Sequence, residues 1–163
     1  MFPYAWLTLT DRTTDLIGAV GDMFRELAQL RQESAKLEMR RQRGVGNEDW
    51  LVIALRPIRT GAAAIHVDVQ ADEIVFSISD YGCRIDLEIS DQLSPEKALD
   101  ELTQLVSAVL GGGYSEVIKR IPLVGMHVEG DLRLEGKTIH MRCGVPFGML
   151  LLGRADVIHY QAY

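Results

Sequence analysis

Ile65-His66-Val67-Asp68-Val69-Gln70-Ala71-Asp72-Glu73-Ile74-Val75-Phe76-Ser77-Ile78 is the stretch that decides the fold. Apolar and polar residues alternate on both sides of Ala71-Asp72, the two-residue period of strands with one buried face. If Ala71-Asp72 forms a two-residue turn, Val69 faces Ile74, Val67 faces Phe76 and Ile65 faces Ile78, and the apolar side chains gather on one side. A second turn at Tyr81-Gly82 repeats the construction, pairing Ile78 with Ile85, Phe76 with Leu87 and Ile74 with Ile89. A one-residue slip at either turn would expose half of this set, so the segment is expected to be an antiparallel meander. Trp50 to Leu55 adds a strand before it, and the first meander spans 50–90.

N-terminal to the meander, Leu16, Val20, Met23, Leu27, Leu30, Ser34 and Leu37 recur at spacings of four and three. That spacing predicts a long amphipathic helix over 14–43 with a heptad-like seam, preceded by a segment over 1–13. Asp11 or Thr14 is placed to cap its start, Arg40, Arg41 and Arg43 to complement its dipole, and Gly44 to stop it. Gly18 and Gly21 weaken its first turns or let it approach another backbone. C-terminal to the meander, Ser94-Pro95-Glu96 opens a second helix over 95–110 with a capping hydroxyl, a proline at the first position and an early acid. Leu99, Leu102, Leu105, Val106, Val109 and Leu110 form its buried stripe, and Gly111-Gly112-Gly113 ends it.

Four more strands are expected over 114–160: Tyr114 to Ile121, Gly125 to Leu134, Lys137 to Cys143, and about Met149 to Tyr160. The chain therefore reads as a single α+β domain over 1–163, in the order helix, four strands, helix, four strands, with one or two antiparallel sheets covered by helices. The two halves share this outline without side-chain self-similarity that would establish a duplication.

The 163 residues, 47% of them hydrophobic, are enough for one substantial core, and the formal charge is -6. An acidic chain lacks the excess positive charge that displaces counterions from nucleic acid or anionic lipid, so neither is an expected partner. No apolar run reaches the ~18 residues of a membrane span, and the opening Met1-Phe2-Pro3-Tyr4-Ala5-Trp6-Leu7 has no basic leader. A soluble, cytoplasmic protein is expected. Cys83 and Cys143, far apart in sequence with no metal-ligand spacing around them, read as two small buried hydrophobes in a reducing compartment.

The meander register sets His66 opposite Ser77 and Ser77 opposite Asp86, but a hydrolytic triad needs histidine between the other two. His66 and Asp86 stand about two strand spacings, ~10 Å, apart. In the 125–143 hairpin, a turn at Glu135-Gly136 pairs Arg133 with Thr138, Asp131 with His140 and Glu129 with Arg142, with His127 on the same face. Leu132 with Ile139 and Val128 with Cys143 take the other face. His127, Glu129, Asp131, His140 and Arg142 are thus candidates for a ligand site, with Asp131 orienting His140 as a general base. His127 and His140 lie ~13 Å apart along the strand, so no shared metal is expected. His159 has no evident partner. The triple glycine follows a helix, whereas a phosphate cradle leads into one, and no cofactor is expected.

The leading expectation is a non-enzymatic protein-interaction module, such as an adaptor, a regulator, an immunity-type inhibitor or a chaperone-like protein, working as a homodimer. Its motive is the first helix: ~43 Å of rod in a globule ~40 Å across. Its seam of Leu16, Val20, Met23, Leu27, Leu30 and Leu37, with Arg40, Arg41 and Arg43, is the candidate interface. The alternative is a small-ligand binding protein or an enzyme that uses the polar hairpin face.

Overall fold

The computed structural model describes residues 12–43, 49–80, 83–121, 125–144 and 154–163. Its elements run α1 (Arg12–Leu30), β1 (Ala35–Arg43), β2 (Asp49–Pro57), β3 (Ile65–Val69), β4 (Glu73–Ile78), β5 (Cys83–Glu88), α2 (Pro95–Leu110), β6 (Tyr114–Ile121), β7 (Gly125–Leu134), β8 (Lys137–Gly144) and β9 (Arg154–His159). The fold is α+β with two antiparallel sheets. The first has the order β1-β2-β3-β4-β5 and the second β8-β7-β6-β9.

The order is therefore helix, five strands, helix, four strands, where four and four strands were expected. The added strand comes from the second half of the expected 14–43 helix. The helix stops at Leu30, Arg31–Ser34 turns, and the amides of Ser34 and Ala35 both donate to the Arg31 carbonyl at 2.8 Å. From there β1 pairs with β2 over nine residues, from Ala35 opposite Pro57 to Arg43 opposite Asp49. Ala35, Leu37 and Met39 point inward at period two, where they meet Leu55 and Ile53 on β2. Leu37 satisfied both patterns: it is seven residues from Leu30 in a heptad and two from Ala35 and Met39 in a strand. The pairing with β2 decided between them, and α1 is 19 residues, ~28 Å rather than ~43 Å. Gly44, the expected stop signal, lies outside the described residues, as do the opening 1–11 with Asp11, the turn residues 81–82 and the 149–153 start of the last strand.

The β3–β4 register is the expected one, with Ile65 opposite Ile78, Val67 opposite Phe76 and Val69 opposite Ile74. Between β4 and β5 the pairing lies two residues from the expected one: Ile78 faces Cys83, Phe76 faces Ile85 and Ile74 faces Leu87. A two-residue shift preserves the inward face, so hydrophobic pattern alone does not detect it. Ser79, with φ 64°, takes the left-handed conformation at the turn after β4. The β7–β8 register is as expected throughout, including Asp131 opposite His140 and Glu129 opposite Arg142.

Helix α1 packs beneath β1, β2 and β3. Its Gly21 comes so close that an added Cβ would stand 3.3 Å from Met39 Cε and 3.4 Å from Leu51 Cδ2. Helix α2 touches α1, β4 and β7, so one helix serves both sheets and joins their inner faces into one core. Ser94 caps it by accepting from the Lys97 amide, Pro95 begins it, and the amides of Gly111, Gly112 and Gly113 close its last turn. Gly112 has φ 75°, and a Cβ on Gly113 would fall 2.9 Å from the carbonyl oxygens of Ala108 and Arg133. The glycine run is thus a helix stop and a place where chain passes close to chain. The sheets also meet directly where β5 touches β7 and β8.

Candidate functional site

The expected polar face of the β7–β8 hairpin forms, and its charges are spent on one another. His140 Nδ1 lies 2.7 Å from Asp131 Oδ1, with both side chains well exposed. Glu129 collects three partners: His127 Nε2 at 3.3 Å, Lys119 Nζ at 3.8 Å and Arg142 Nε at 4.0 Å. Lys119 reaches it from β6, where it stands opposite His127, a contributor that hairpin pairing alone does not reveal. His127 is buried on this face and His140 is exposed four strand positions away. Among the described residues no group of three His, Cys, Asp or Glu side chains is placed to hold a metal ion. In the first sheet His66 stands opposite Ser77 as expected, but the shifted β5 sets Arg84 opposite Ser77 and Asp86 opposite Val75, so the three residues of the apparent triad do not line up.

The seam of the first helix divides. Leu16, Val20 and Met23 are buried in the protein's own core, and Leu27 and Leu37 are packed against it. Only Leu30, at the end of α1, is left 69% exposed. Arg40, Arg41 and Arg43 lie on β1, an edge strand of the five-stranded sheet among the described residues, opposite Val52, Leu51 and Asp49. They do not complement a helix dipole, because α1 ends ten residues before them; Arg43 instead pairs with Asp49 at 3.4 Å.

Leu30 has company at its end of the molecule. The Ile58 amide donates to the Ser34 carbonyl at 2.9 Å, which brings the loop after β2 onto the α1–β1 turn and leaves Ile58 59% exposed. An open depression there is lined by Leu30, Arg31, Ser34, Arg59 and Tyr163 among others. The Arg31 guanidinium donates to the Tyr163 carbonyl at 3.3 Å, while the Tyr163 hydroxyl donates to the Ala63 carbonyl, with the Leu55 carbonyl 3.3 Å away. Burial raises the Tyr163 phenol above its ordinary range. The floor is therefore fixed, and the rim sets Leu30 and the guanidinium groups of Arg31 and Arg59 beside Gln32 and Glu33.

A second constellation, absent from the sequence reading, lies where the sheets meet. Glu116, 1% exposed, projects inward from β6. Its carboxyl accepts from Ser79 Oγ at 2.9 Å, from Tyr114 Oη at 3.0 Å, and from the Tyr160 hydroxyl. The Tyr114 and Tyr160 rings stack with centroids 5.4 Å apart. Gly130 on β7 makes room for Tyr114: a Cβ there would stand 2.7 Å from Tyr114 Oη. Beside this cluster, Cys83 Sγ on β5 lies 3.2 Å from Cys143 Sγ on β8. Burial, with the neighbouring Cys143, pushes the Cys83 thiol up to about 12. Burial and Glu116 raise the Tyr114 phenol well above its usual range. The expected burial of the cysteines holds fully for Cys83 and in part for Cys143; their mutual approach was not foreseen, because it joins strands of different sheets.

No family model matches the chain, and neither a curated protein nor a solved structure matches it. No helix among the described residues is long and apolar enough to cross a membrane.

Proposed function

We propose that the protein is a non-enzymatic protein-interaction module that docks a partner at the Leu30–Ile58 end. One observation supports this reading above the others: two large apolar side chains, 69% and 59% exposed, lie at one end of the molecule with Arg31 and Arg59. Exposed aliphatic residues beside arginine are the makings of a protein contact, where apolar burial supplies affinity and the guanidinium selects carboxylate. On a chain of net charge -6 the two arginines, which outnumber the one acid, Glu33, among the lining residues, also orient an acidic, amphipathic partner segment. A second copy of the chain is one such partner, so homodimerisation belongs to the same proposal.

Leu30→Glu with Ile58→Glu tests it, since both side chains face water and the fold tolerates the change. A photo-crosslinkable residue at position 32, which lines the same depression and leaves both arginines in place, should capture one defined protein in the native host, and light scattering of the purified chain reports self-association. Capture or dimerisation that disappears in the double variant at unchanged unfolding temperature is the expected result. A chain that stays monomeric and crosslinks identically with and without the two substitutions would overturn the proposal.

A ligand-binding alternative draws on the exposed Asp131–His140 pair, whose 2.7 Å contact fixes the imidazole. It requires a metabolite that raises the unfolding temperature of the native chain and fails to do so for His140→Ala.

A further inference from the structure

We infer that Cys83 and Cys143 form a reversible disulfide site, with a low-molecular-weight disulfide as co-substrate. The two Sγ atoms face each other at 3.2 Å from β5 of one sheet and β8 of the other. They are already in contact, so closing the bond asks only for a small movement of two side chains. The two thiols differ in access: Cys83 is fully buried, with its Sγ also 3.8 Å from the Val128 carbonyl, whereas Cys143 is partly exposed. This asymmetry sets the order of events. Cys143, as thiolate, attacks one sulfur of the small disulfide, forming a mixed disulfide and releasing the first small thiolate. Cys83 then attacks Cys143 Sγ and the mixed bond breaks. The Cys83 proton leaves with the second small thiolate as thiol. Two electrons pass from the protein to the co-substrate, and two small thiols are produced for one protein disulfide. The raised Cys83 thiol agrees with Cys143 reacting first; Cys83 gives up its proton only as it attacks, so its 3.2 Å contact with Cys143 Sγ, and not its acidity, is what makes it the resolving partner.

The bond would tie the β5 edge of the first sheet to the β8 edge of the second across 60 residues of sequence. It does not rest on the protein-docking proposal, which concerns other residues, at the α1–β1 turn and the loop after β2.

The full-length reduced chain is incubated anaerobically with oxidised glutathione at about pH 8. Expected are loss of both alkylatable thiols, a mass ~2 Da lower, a linked pair of peptides containing Cys83 and Cys143, and reversal by dithiothreitol. Closing so long a loop should raise the unfolding temperature by roughly 10 °C. Cys83→Ala should halt at glutathionylated Cys143, while Cys143→Ala should leave Cys83 unmodified in the folded chain. If Cys83→Ala does not fold, the native peptide map and Cys143→Ala decide alone. Retention of both thiols, or accumulation of the mixed disulfide only, in folded protein whose guanidinium-unfolded form crosslinks readily would overturn the inference.

Discussion

Gly130→Ala is the substitution whose outcome depends most directly on the buried cluster. Gly130 has no positive φ, so alanine fits the backbone, and on an ordinary strand the exchange would stabilise by about 0.4–1 kcal/mol through the unfolded chain. Here the new methyl would stand 2.7 Å from Tyr114 Oη, 3.0 Å from Cε2 and 3.2 Å from Cζ. The obstacle is a stacked aromatic ring, held by Tyr160 on one side and by its bond to Glu116. Overpacking of this kind costs about 1–3 kcal/mol. If the ring gives way, loss of its bond to the buried carboxyl adds about 1–3 kcal/mol. The net expectation is a loss of roughly 2–5 kcal/mol, a large share of a domain's usual stability. Urea unfolding followed by far-ultraviolet circular dichroism reads the loss, and the near-ultraviolet tyrosine signal reads the stack. Tyr114→Phe removes the closest of the three contacts, so the double variant should be at least ~1 kcal/mol more stable than the two single losses summed. A stability within ~0.5 kcal/mol of native for Gly130→Ala, or strict additivity in the cycle, would refute the argument.

Three further outcomes follow from the same structure. Glu116→Ala removes the acceptor shared by Ser79, Tyr114 and Tyr160 and should cost about 3–5 kcal/mol in denaturant unfolding, with Glu116→Gln losing clearly less. Cys83 and Tyr114 both hold their protons more tightly when folded: the Cys83 contribution is complete below the ordinary thiol value of 9.0 and is lost as pH rises to about 12, while that of Tyr114 begins to fall only above the ordinary phenol value of 10.0. Urea midpoints should fall across that interval, less steeply for Cys83→Ala, and an identical slope in the variant would count against the burial account. Ser94→Ala deletes the side-chain acceptor of the Lys97 amide at the start of α2 and should cost about 0.5–2 kcal/mol in the same assay.

Local chemistry made much of this fold legible. The Ala71-Asp72 and Glu135-Gly136 turns set two registers because each is flanked by strict alternation, and Ser94-Pro95 with the triple glycine bounds α2 at both ends. The failures have physical reasons. Arg31-Gln32-Glu33-Ser34 contains no glycine or proline, so nothing local stops α1; the stop comes from β2, which offers β1 a ladder of nine pairs. The β5 register slipped by two because Cys83, Ile85, Leu87 and Ile89 are all apolar at period two, and the pattern is satisfied equally by either pairing. The polar hairpin face was legible as far as β7 and β8 reach, while Lys119 enters from a strand whose alignment no turn announces. The Glu116 cluster was hidden more deeply. Its members come from the turn after β4, from β6 and from the residue after β9, with the cysteines of β5 and β8 beside them, and only the packing of two sheets around α2 brings them together.

The strand order also carries a consequence for how the chain folds. Every pairing in the first sheet joins strands adjacent in sequence, from β1–β2 to β4–β5. Such a meander closes short loops, and its strand pairing is complete by the end of β5 at Glu88, although its inner face is covered only once α2 is in place. The second sheet differs at one seam: β6 lies between β7 and β9, so its outer partner arrives only after β7 and β8 have been made. Tyr160, immediately beyond β9, brings the last hydroxyl to Glu116. β9 is therefore the last of the described strands to become available for pairing, and a variant lacking it should retain the pairing of the first sheet while leaving the Glu116 carboxyl short of its Tyr160 hydrogen bond.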